Sequence, residues 1–332
     1  MNVGKDIICE YLERFPETPT LTLSKLIYKE NKECFPRLEA VRSLVRYYRG
    51  QNGKYGRDKV STKKYFKESG TKSPFESIPD GLKHFDEWAP VEIESDRTLI
   101  LSDVHIPYHE KEPLVQALEY GVKHKCDGVL LNGDFLDFYS VSMWEKDPRR
   151  RNFHHELNIG KGILGTIREA FPKAHIYFLE GNHEARYFRY LQVKAPDLLG
   201  VPNFALRSIL GLDDLNIELI DDKRIAKIGS LSVIHGHEFG RAITSPVNPA
   251  RGLYLKGKDT ALCSHFHRSS KHTEKSMNGE VIVCWSSGCL CDLRPDYRPI
   301  NRWNHGFAVV NRIGKNGDFE VWLKDIIDGR IF

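Results

Sequence analysis

Apolar positions change their period as the chain proceeds. Ile7, Ile8, Tyr11, Leu12 and Phe15 recur at helical spacing, which predicts a short helix over residues 4–15, ended by Pro16 and Pro19. A second helix is expected from about Leu23 to Asn31. Pro36 suits the first turn of a third. In that helix Leu38, Val41, Val45 and Tyr48 form one stripe and Arg42, Arg46 and Arg49 another, and Gly50 and Gly53 close it. Residues 51–90 lose the period and read as a basic linker rich in Gly, Lys, Ser and Pro. From Arg97 short apolar runs alternate with helical stretches. Strands are expected at 97–102, 127–131 and 174–179, and helices at 113–124 and 158–171. Runs that are apolar throughout belong in a sheet covered on both faces. Beyond residue 217 the pattern is mostly strand: 217–220, 224–228, 231–234, 261–263, 271–276, 281–285, 306–310 and 319–323, with Asn278-Gly279 as a hairpin signal. The pattern predicts an α/β domain over 91–332, a helical module over 1–50 and a linker over 51–90.

Composition narrows the class. A chain of 332 residues, 40% hydrophobic and 28% charged, has the makeup of a globular protein with one large domain and an appendage. No apolar run approaches the ~18 residues of a membrane helix, and the N-terminus lacks a signal pattern, so a cytoplasmic protein with no membrane partner is expected. Seven cysteines, odd in number and scattered, argue against a disulfide framework, and Cys289 with Cys291 is too little for a zinc site. The net charge of +4 is uneven: residues 36–72 hold 11 basic and 3 acidic residues. Three short helices with a basic third resemble a helix-turn-helix module, with Arg42, Arg46 and Arg49 as nucleic-acid contacts. A helical cap with a solvated arginine face fits the same pattern. Lys63, Lys64 and Lys67 interleave with Tyr65 and Phe66, which suits phosphate contact with base stacking, or a tether docked on the next domain.

The chemistry gathers at predicted strand ends. The strand from Arg97 ends on Asp103 and His105, two residues apart and so on one side of an extended chain. Four later stretches offer more ligand-type residues: Gly133-Asp134-Phe135-Leu136-Asp137, Gly181-Asn182-His183-Glu184, His235-Gly236-His237 and His265-Phe266-His267. Ligands at the carboxyl ends of successive strands lie where open α/β sheets place their sites. Two divalent cations ~3.5–4 Å apart can make a hydroxide nucleophile at neutral pH, given carboxylate and imidazole ligands and one bridging group. The sequence offers that set. Arg149-Arg150-Arg151 and Arg186 stand near these stretches and suit phosphate clamping, or are solvated surface.

In this order the five motifs resemble those of the calcineurin-like metallophosphoesterase superfamily: Asp-x-His, Gly-Asp-x-x-Asp, Gly-Asn-His-Asp/Glu, a His before Gly, and Gly-His-x-His. The resemblance covers roughly residues 97–312. It implies a two-sheet α/β/β/α sandwich. It also implies a first metal on Asp103, His105, Asp134 and His267 and a second on Asp134, Asn182, His235 and His265. His183 would then protonate the leaving group or stabilise the transition state, with Asp134 bridging the metals. Asp137 and Glu184 would orient ligands or touch substrate, and His237 could touch substrate or replace His235. Two departures stand: Ser264 where the family has glycine, and Phe138 where protein phosphatases carry arginine, which turns the expectation away from phosphoproteins. The mixed oxygen and nitrogen donors allow Mn, Fe, Zn, Ni or Co, with manganese favoured. The expected activity is hydrolysis of a phosphate ester, with nucleic acid as the favoured partner. A small-molecule phosphomonoesterase, a cyclic-nucleotide phosphodiesterase, and a nucleic-acid-binding regulator with a silent site are alternatives. Oligomeric state is left open.

Overall fold

A computed structural model describes residues 3–60, 62–66, 79, 81–82, 88–150, 152–240, 247–314 and 316–332; Lys67 and Arg151 lie outside the described residues. The chain divides into two compact units, residues 1–84 and 85–332.

In the first unit α1 (Val3–Arg14), α2 (Thr20–Glu30) and α3 (Leu38–Tyr48) bury Ile8, Leu12, Leu23, Ile27, Val41 and Val45 in one cluster. A further helix, α4 (Gly53–Asp58), lies in the stretch expected to be linker. Val60, Tyr65 and Phe66 pack on the same cluster. Gly50 turns the chain at φ +65°, and the Phe66 ring stands 3.0 Å from where a Cβ would be. Tyr65 donates a hydrogen bond to Glu13 Oε1 at 2.6 Å, and Lys64 Nζ lies 2.8 Å from the same oxygen. These half-buried aromatics are therefore packed on the helices of their own unit.

Arg49 corrects the expected basic stripe. It follows the last residue of α3, at φ −81° and ψ 1°, which turns its side chain inward. It is 1% exposed. Its guanidinium donates to Phe15 O, Pro16 O and Thr20 Oγ1 at 3.4, 3.2 and 3.0 Å. It ties the α1–α2 turn to the end of α3 and contacts no solvent partner. Arg46 and Lys63 are exposed, and Arg42 lies 3.5 Å from Glu39.

The second unit runs β1 (Val91–Glu92), β2 (Arg97–Leu101), α5 (Lys111–Lys123), β3 (Gly128–Asn132), α6 (Phe153–Ala170), β4 (His175–Leu179), α7 (Glu184–Lys194), α8 (Leu206–Leu210) and β5 (Ile217–Ile220). It continues with β6 (Ala226–Ile228), β7 (Leu231–Val233), α9 (Pro249–Gly257), β8 (Ala261–Cys263), β9 (Ser270–Lys275), β10 (Val281–Ser286), β11 (His305–Ile313), β12 (Asp318–Ile327) and β13 (Arg330–Ile331). A seven-stranded sheet has the order β13-β12-β11-β2-β3-β4-β5, and a six-stranded sheet β1-β6-β7-β8-β10-β9. The apolar runs of β2, β3 and β4 are covered on both faces, as their composition requires. Ile100, Leu130 and Tyr177 meet Ile228, Val233 and Leu262 of the second sheet. Leu99, Leu101, Val129 and Leu131 meet Leu114, Ala117, Leu164 and Ile167 of α5 and α6. On the far side α9 packs Ala250 and Leu253 on Cys263 and Cys284. The result is the α/β/β/α sandwich. Gly121 lets α5 sit close, since a Cβ there would stand 2.7 Å from Leu99 Cδ2 and 2.9 Å from Phe171 Cζ. Parallel pairing of Leu99 with Val129 and of Val129 with Ile176 brings the carboxyl ends of β2, β3 and β4 side by side. Among the described residues no helix is long and apolar enough to cross a membrane.

Replacing Arg49 by alanine is expected to destabilise the helices of residues 3–48 by about 1–3 kcal/mol, because buried acceptors lose their donor. Arg46→Ala should stay within about 0.5 kcal/mol of the parent. Hydrogen exchange of α1 to α3 measures both; equal effects would contradict a structural role for Arg49.

Candidate metal centre

The strand ends are built from backbone that side chains seldom adopt. Asp103, His105, Asp134, His265 and His267 have φ of 52°, 52°, 51°, 69° and 56°. Left-handed conformations of this kind cost of order 1–3 kcal/mol each and persist only where neighbours enforce them. Here hydrogen bonds enforce them. Asp103 N donates to Gly133 O at 3.2 Å, His105 N to Asp134 O at 3.0 Å, and Leu290 N to Asp103 O at 3.1 Å. Two motif glycines are required by space. A Cβ on Gly133 would lie 2.4 Å from His235 Nδ1, and one on Gly181 would lie 2.3 Å from both the N and Oδ1 of Asp134.

The side chains so held converge. Asp134 Oδ2 lies 3.2 Å from His235 Nε2, 3.7 Å from His183 Nε2 and 3.8 Å from His105 Nε2. His267 Nε2 lies 3.1 Å from Asp103 Oδ1 and 3.1 Å from His105 Nε2. Asn182 Oδ1 lies 3.2 Å from His235 Nε2. Asp134, His235 and His265 offer ligand atoms within 4.8 Å of one another, and so do Asp103, His105 and Asp134.

The outer atoms of Asp103, Asp134, His105 and His235 are engaged, which leaves their inner ones facing the cluster. Asp103 Oδ2 accepts from His265 N at 3.0 Å, and Asp134 Oδ1 accepts from His183 N at 2.9 Å. His235 Nδ1 donates to Asn132 O at 2.8 Å, which leaves Nε2 as the nitrogen turned to Asp134 and open to a proton or a cation. His105 Nδ1 lies 3.1 Å from Asp137 Oδ1, with the same effect. Two inner groups remain: His265 Nδ1 is buried without a hydrogen-bond partner, and Asp103 Oδ1 faces His267 Nε2 at 3.1 Å. Two imidazole nitrogens at 3.1 Å with lone pairs turned inward need a proton or a cation between them. This donor set fits divalent cations.

Charge balance agrees. Burial opposes the ionisation of Asp134, yet the surrounding His183 and His235 hold it well below the usual carboxylate range. Burial opposes protonation of His235, but Asp134 outweighs it and pushes that imidazole up to about 10. His265, buried and beside His235, is pushed down to about 4. Protons therefore balance the buried carboxylates, and divalent cations would displace them.

The remaining candidates divide. Glu184 is buried, and its carboxylate accepts from Gly181 N and Asp134 N with Oε2 and from Leu136 N with Oε1, at 2.9, 3.0 and 3.0 Å. Burial and the Asp134 charge push it up to about 7 against those three donors. His183 donates from Nδ1 to Asp137 O at 2.9 Å, and its Nε2 faces Arg186 Nη2 at 2.8 Å. Of the two histidines in His235-Gly-His237, His235 is the one at Asp134. The His237 ring stands 5.5 Å from the His235 ring, with a buried Nδ1 that has no hydrogen-bond partner. Arg150 lines the cleft over the cluster, and Arg149 turns away onto Asp147 at 2.7 Å.

Several contributors escape a reading of the sequence. Glu238 accepts from His235 N and Gly236 N at 2.8 and 2.6 Å, an acidic turn residue that the adjacent His-Gly-His could have flagged. Cys291 Sγ lies 3.8 Å from His267 Nδ1. Trp303 did not escape it: Trp303-Asn304-His305 is a candidate pocket wall in the sequence, and Trp303 lines the cleft edge-on to His267, ring centroids 4.1 Å apart.

The family model for calcineurin-like phosphoesterases matches residues 96–300. The Gene 54 protein of Mycobacterium phage L5 is 25% identical over 248 residues, 71% of this chain and 96% of that protein. The Gene 54 protein of Mycobacterium phage D29 is 26% identical over the same shares. Among solved structures, Vacuolar Protein Sorting 29 of Cryptosporidium parvum matches 72% of this chain and 95% of its own, at 14% identity and a TM-score of 0.39. A dimetal phosphatase of Danio rerio matches 65% and 92%, at 11% identity and a TM-score of 0.31.

Glu184→Ala is expected to weaken metal retention by about 10–100-fold, because the turn that aims Asp134 loses its acceptor. Glu184→Gln should lie between alanine and the parent, since an amide can satisfy only part of a three-donor set. Metal content after gel filtration checks the order; full retention in the alanine variant would contradict it.

Proposed function

The chain belongs to the calcineurin-like phosphoesterase family, and from that premise we propose that it is a dinuclear metal-dependent phosphodiesterase acting on nucleic acid. The observation that carries the reading is the convergence of buried Asp103, Asp134 and four imidazoles at the floor of a wide cleft. Asp103, His105, Asp134 and His267 would hold one ion, and Asp134, Asn182, His235 and His265 the other. Bound there, divalent ions supply Lewis acidity, bringing the pKa of water near neutrality and neutralising phosphoryl oxygens. Manganese is the favoured metal.

The protein's own groups do the rest. Asp134 fixes the geometry through a backbone bond at Oδ1 while Oδ2 faces the cluster. His183 is aimed by Asp137 and stands beside Asp134; its Nε2 accepts from Arg186, and once Arg186 turns to the phosphate that nitrogen would be free to take a proton and pass it to a leaving oxygen. Arg186 reaches His183 and Asp137 O, and can turn to a phosphoryl oxygen as a charged donor. The cleft supports a polymeric substrate. Its volume is about 1400 Å³, above the roughly 300–1,000 Å³ of small-molecule pockets. Arg150, Arg186, Arg268, Arg298 and Arg302 line it. The exposed Arg46 and Lys63 of the N-terminal unit add basic surface suited to phosphate contact.

The test is turnover of a panel of single- and double-stranded DNA and RNA, cyclic nucleotides and monoesters with Mn²⁺. Cleavage of nucleic acid is expected, abolished by EDTA and reduced more than about 100-fold by Asp134→Asn. Turnover of monoesters or cyclic nucleotides with nucleic acids refused would overturn the substrate. Nucleic-acid binding with no metal-dependent turnover of any ester would overturn the enzyme and leave a regulator.

A further inference from the structure

Two loops wall the cleft above the candidate metal centre. Residues 139–150 bring Trp144, 64% exposed, and residues 292–304 bring Tyr297, 73% exposed. Neither loop is left to wander. Tyr139 Oη accepts from Asp147 N at 2.7 Å in the first. In the second, Asn301 Nδ2 donates to Leu293 O and Arg298 O at 2.7 and 2.9 Å, and Trp303 N donates back to Asn301 Oδ1 at 2.9 Å. Arg150 Nη1 meets Asp296 Oδ2 at 2.5 Å and joins the two loops.

Large flat rings held this far into solvent on pinned loops gain nothing for the fold. They form a path. The Tyr297 ring lies 6.4 Å from that of Trp303, which lies 4.1 Å from that of His267 in the cluster. Beside it Arg298 and Arg302 are exposed and, among the described residues, have no carboxylate partner. Glu145 and Asp296 are the acidic residues at the rim. Aromatic platforms interleaved with unpaired arginines match bases and phosphates in alternation. A base can lie on such a ring only when its face is free, which a duplex does not allow. We propose that the cleft takes a single strand of nucleic acid, with bases stacked on Trp144 and Tyr297 and phosphates on Arg298 and Arg302. This rests on the nucleic-acid reading above and narrows it to unpaired strands.

The experiment uses the full chain with Mn²⁺ and a labelled, nuclease-resistant phosphorothioate oligothymidine, free or annealed to its complement, read by fluorescence anisotropy. The single strand is expected to bind more tightly than the duplex. Trp144→Ala with Tyr297→Ala should raise its Kd by about tenfold or more, with duplex affinity unchanged. Trp144→Phe with Tyr297→Phe should restore much of the loss, which separates stacking from misfolding. Arg298→Ala with Arg302→Ala should lower the salt slope by about 1–2. An alanine pair that binds the single strand as the parent does overturns the proposal, and so does a duplex bound as tightly as the single strand. The companion assay with a cleavable strand separates the two readings. Binding that depends on the rings without cleavage sinks the enzymatic reading alone. Cleavage undiminished in the alanine pair sinks this inference alone.

Discussion

The constraint on which this structure depends is the burial of Asp103 and Asp134 among imidazoles. A carboxylate taken out of water without compensation is expensive, and two of them close together are more so. Everything around the cluster compensates. Backbone N–H groups of His265 and His183 engage the outer oxygens. Histidines face the inner ones, and the protons they hold are the charge that divalent cations would replace. The parallel pairing of β2, β3 and β4 serves this arrangement by ending three strands side by side. Their apolar composition serves it too, because only a sheet covered on both faces holds strand ends so rigidly.

Close approach is the second demand. Bringing Asp134 under His235 requires that Gly133 and Gly181 have no Cβ, and Glu184 then ties the backbone of both turns together with one carboxylate. Five residues at the cluster sit in left-handed backbone that costs stability. The hydrophobic clusters on either side of the larger sheet absorb that cost, so the centre is strained locally on a rigid frame.

Much of this was legible in the sequence for a physical reason. Strand ends, metal-type side chains and their tight spacing are local features, and Asp103, His105, Asp134, Asn182, His235, His265 and His267 all arrive at one place. The apolar runs likewise foretold a doubly covered sheet. What was not legible depends on long-range contacts. Arg49 continues a helical stripe on paper, but the helix ends one residue earlier and the side chain turns in to cap distant carbonyls. Tyr65 and Phe66 read as linker until the cluster they complete is seen. Residues 292–304 have no period and no motif, and their importance comes from sitting over a centre whose ligands are far away in sequence. Arg149 and Arg150 are neighbours with different fates, decided by Asp147 and Asp296.

Two ions sharing Asp134 would be visible in anomalous diffraction from crystals soaked in Mn²⁺. Two anomalous peaks about 3.5–4 Å apart are expected, bridged by Asp134, with Asp103, His105 and His267 around one and Asn182, His235 and His265 around the other. A single peak, or ions bound away from Asp134, would contradict the shared site.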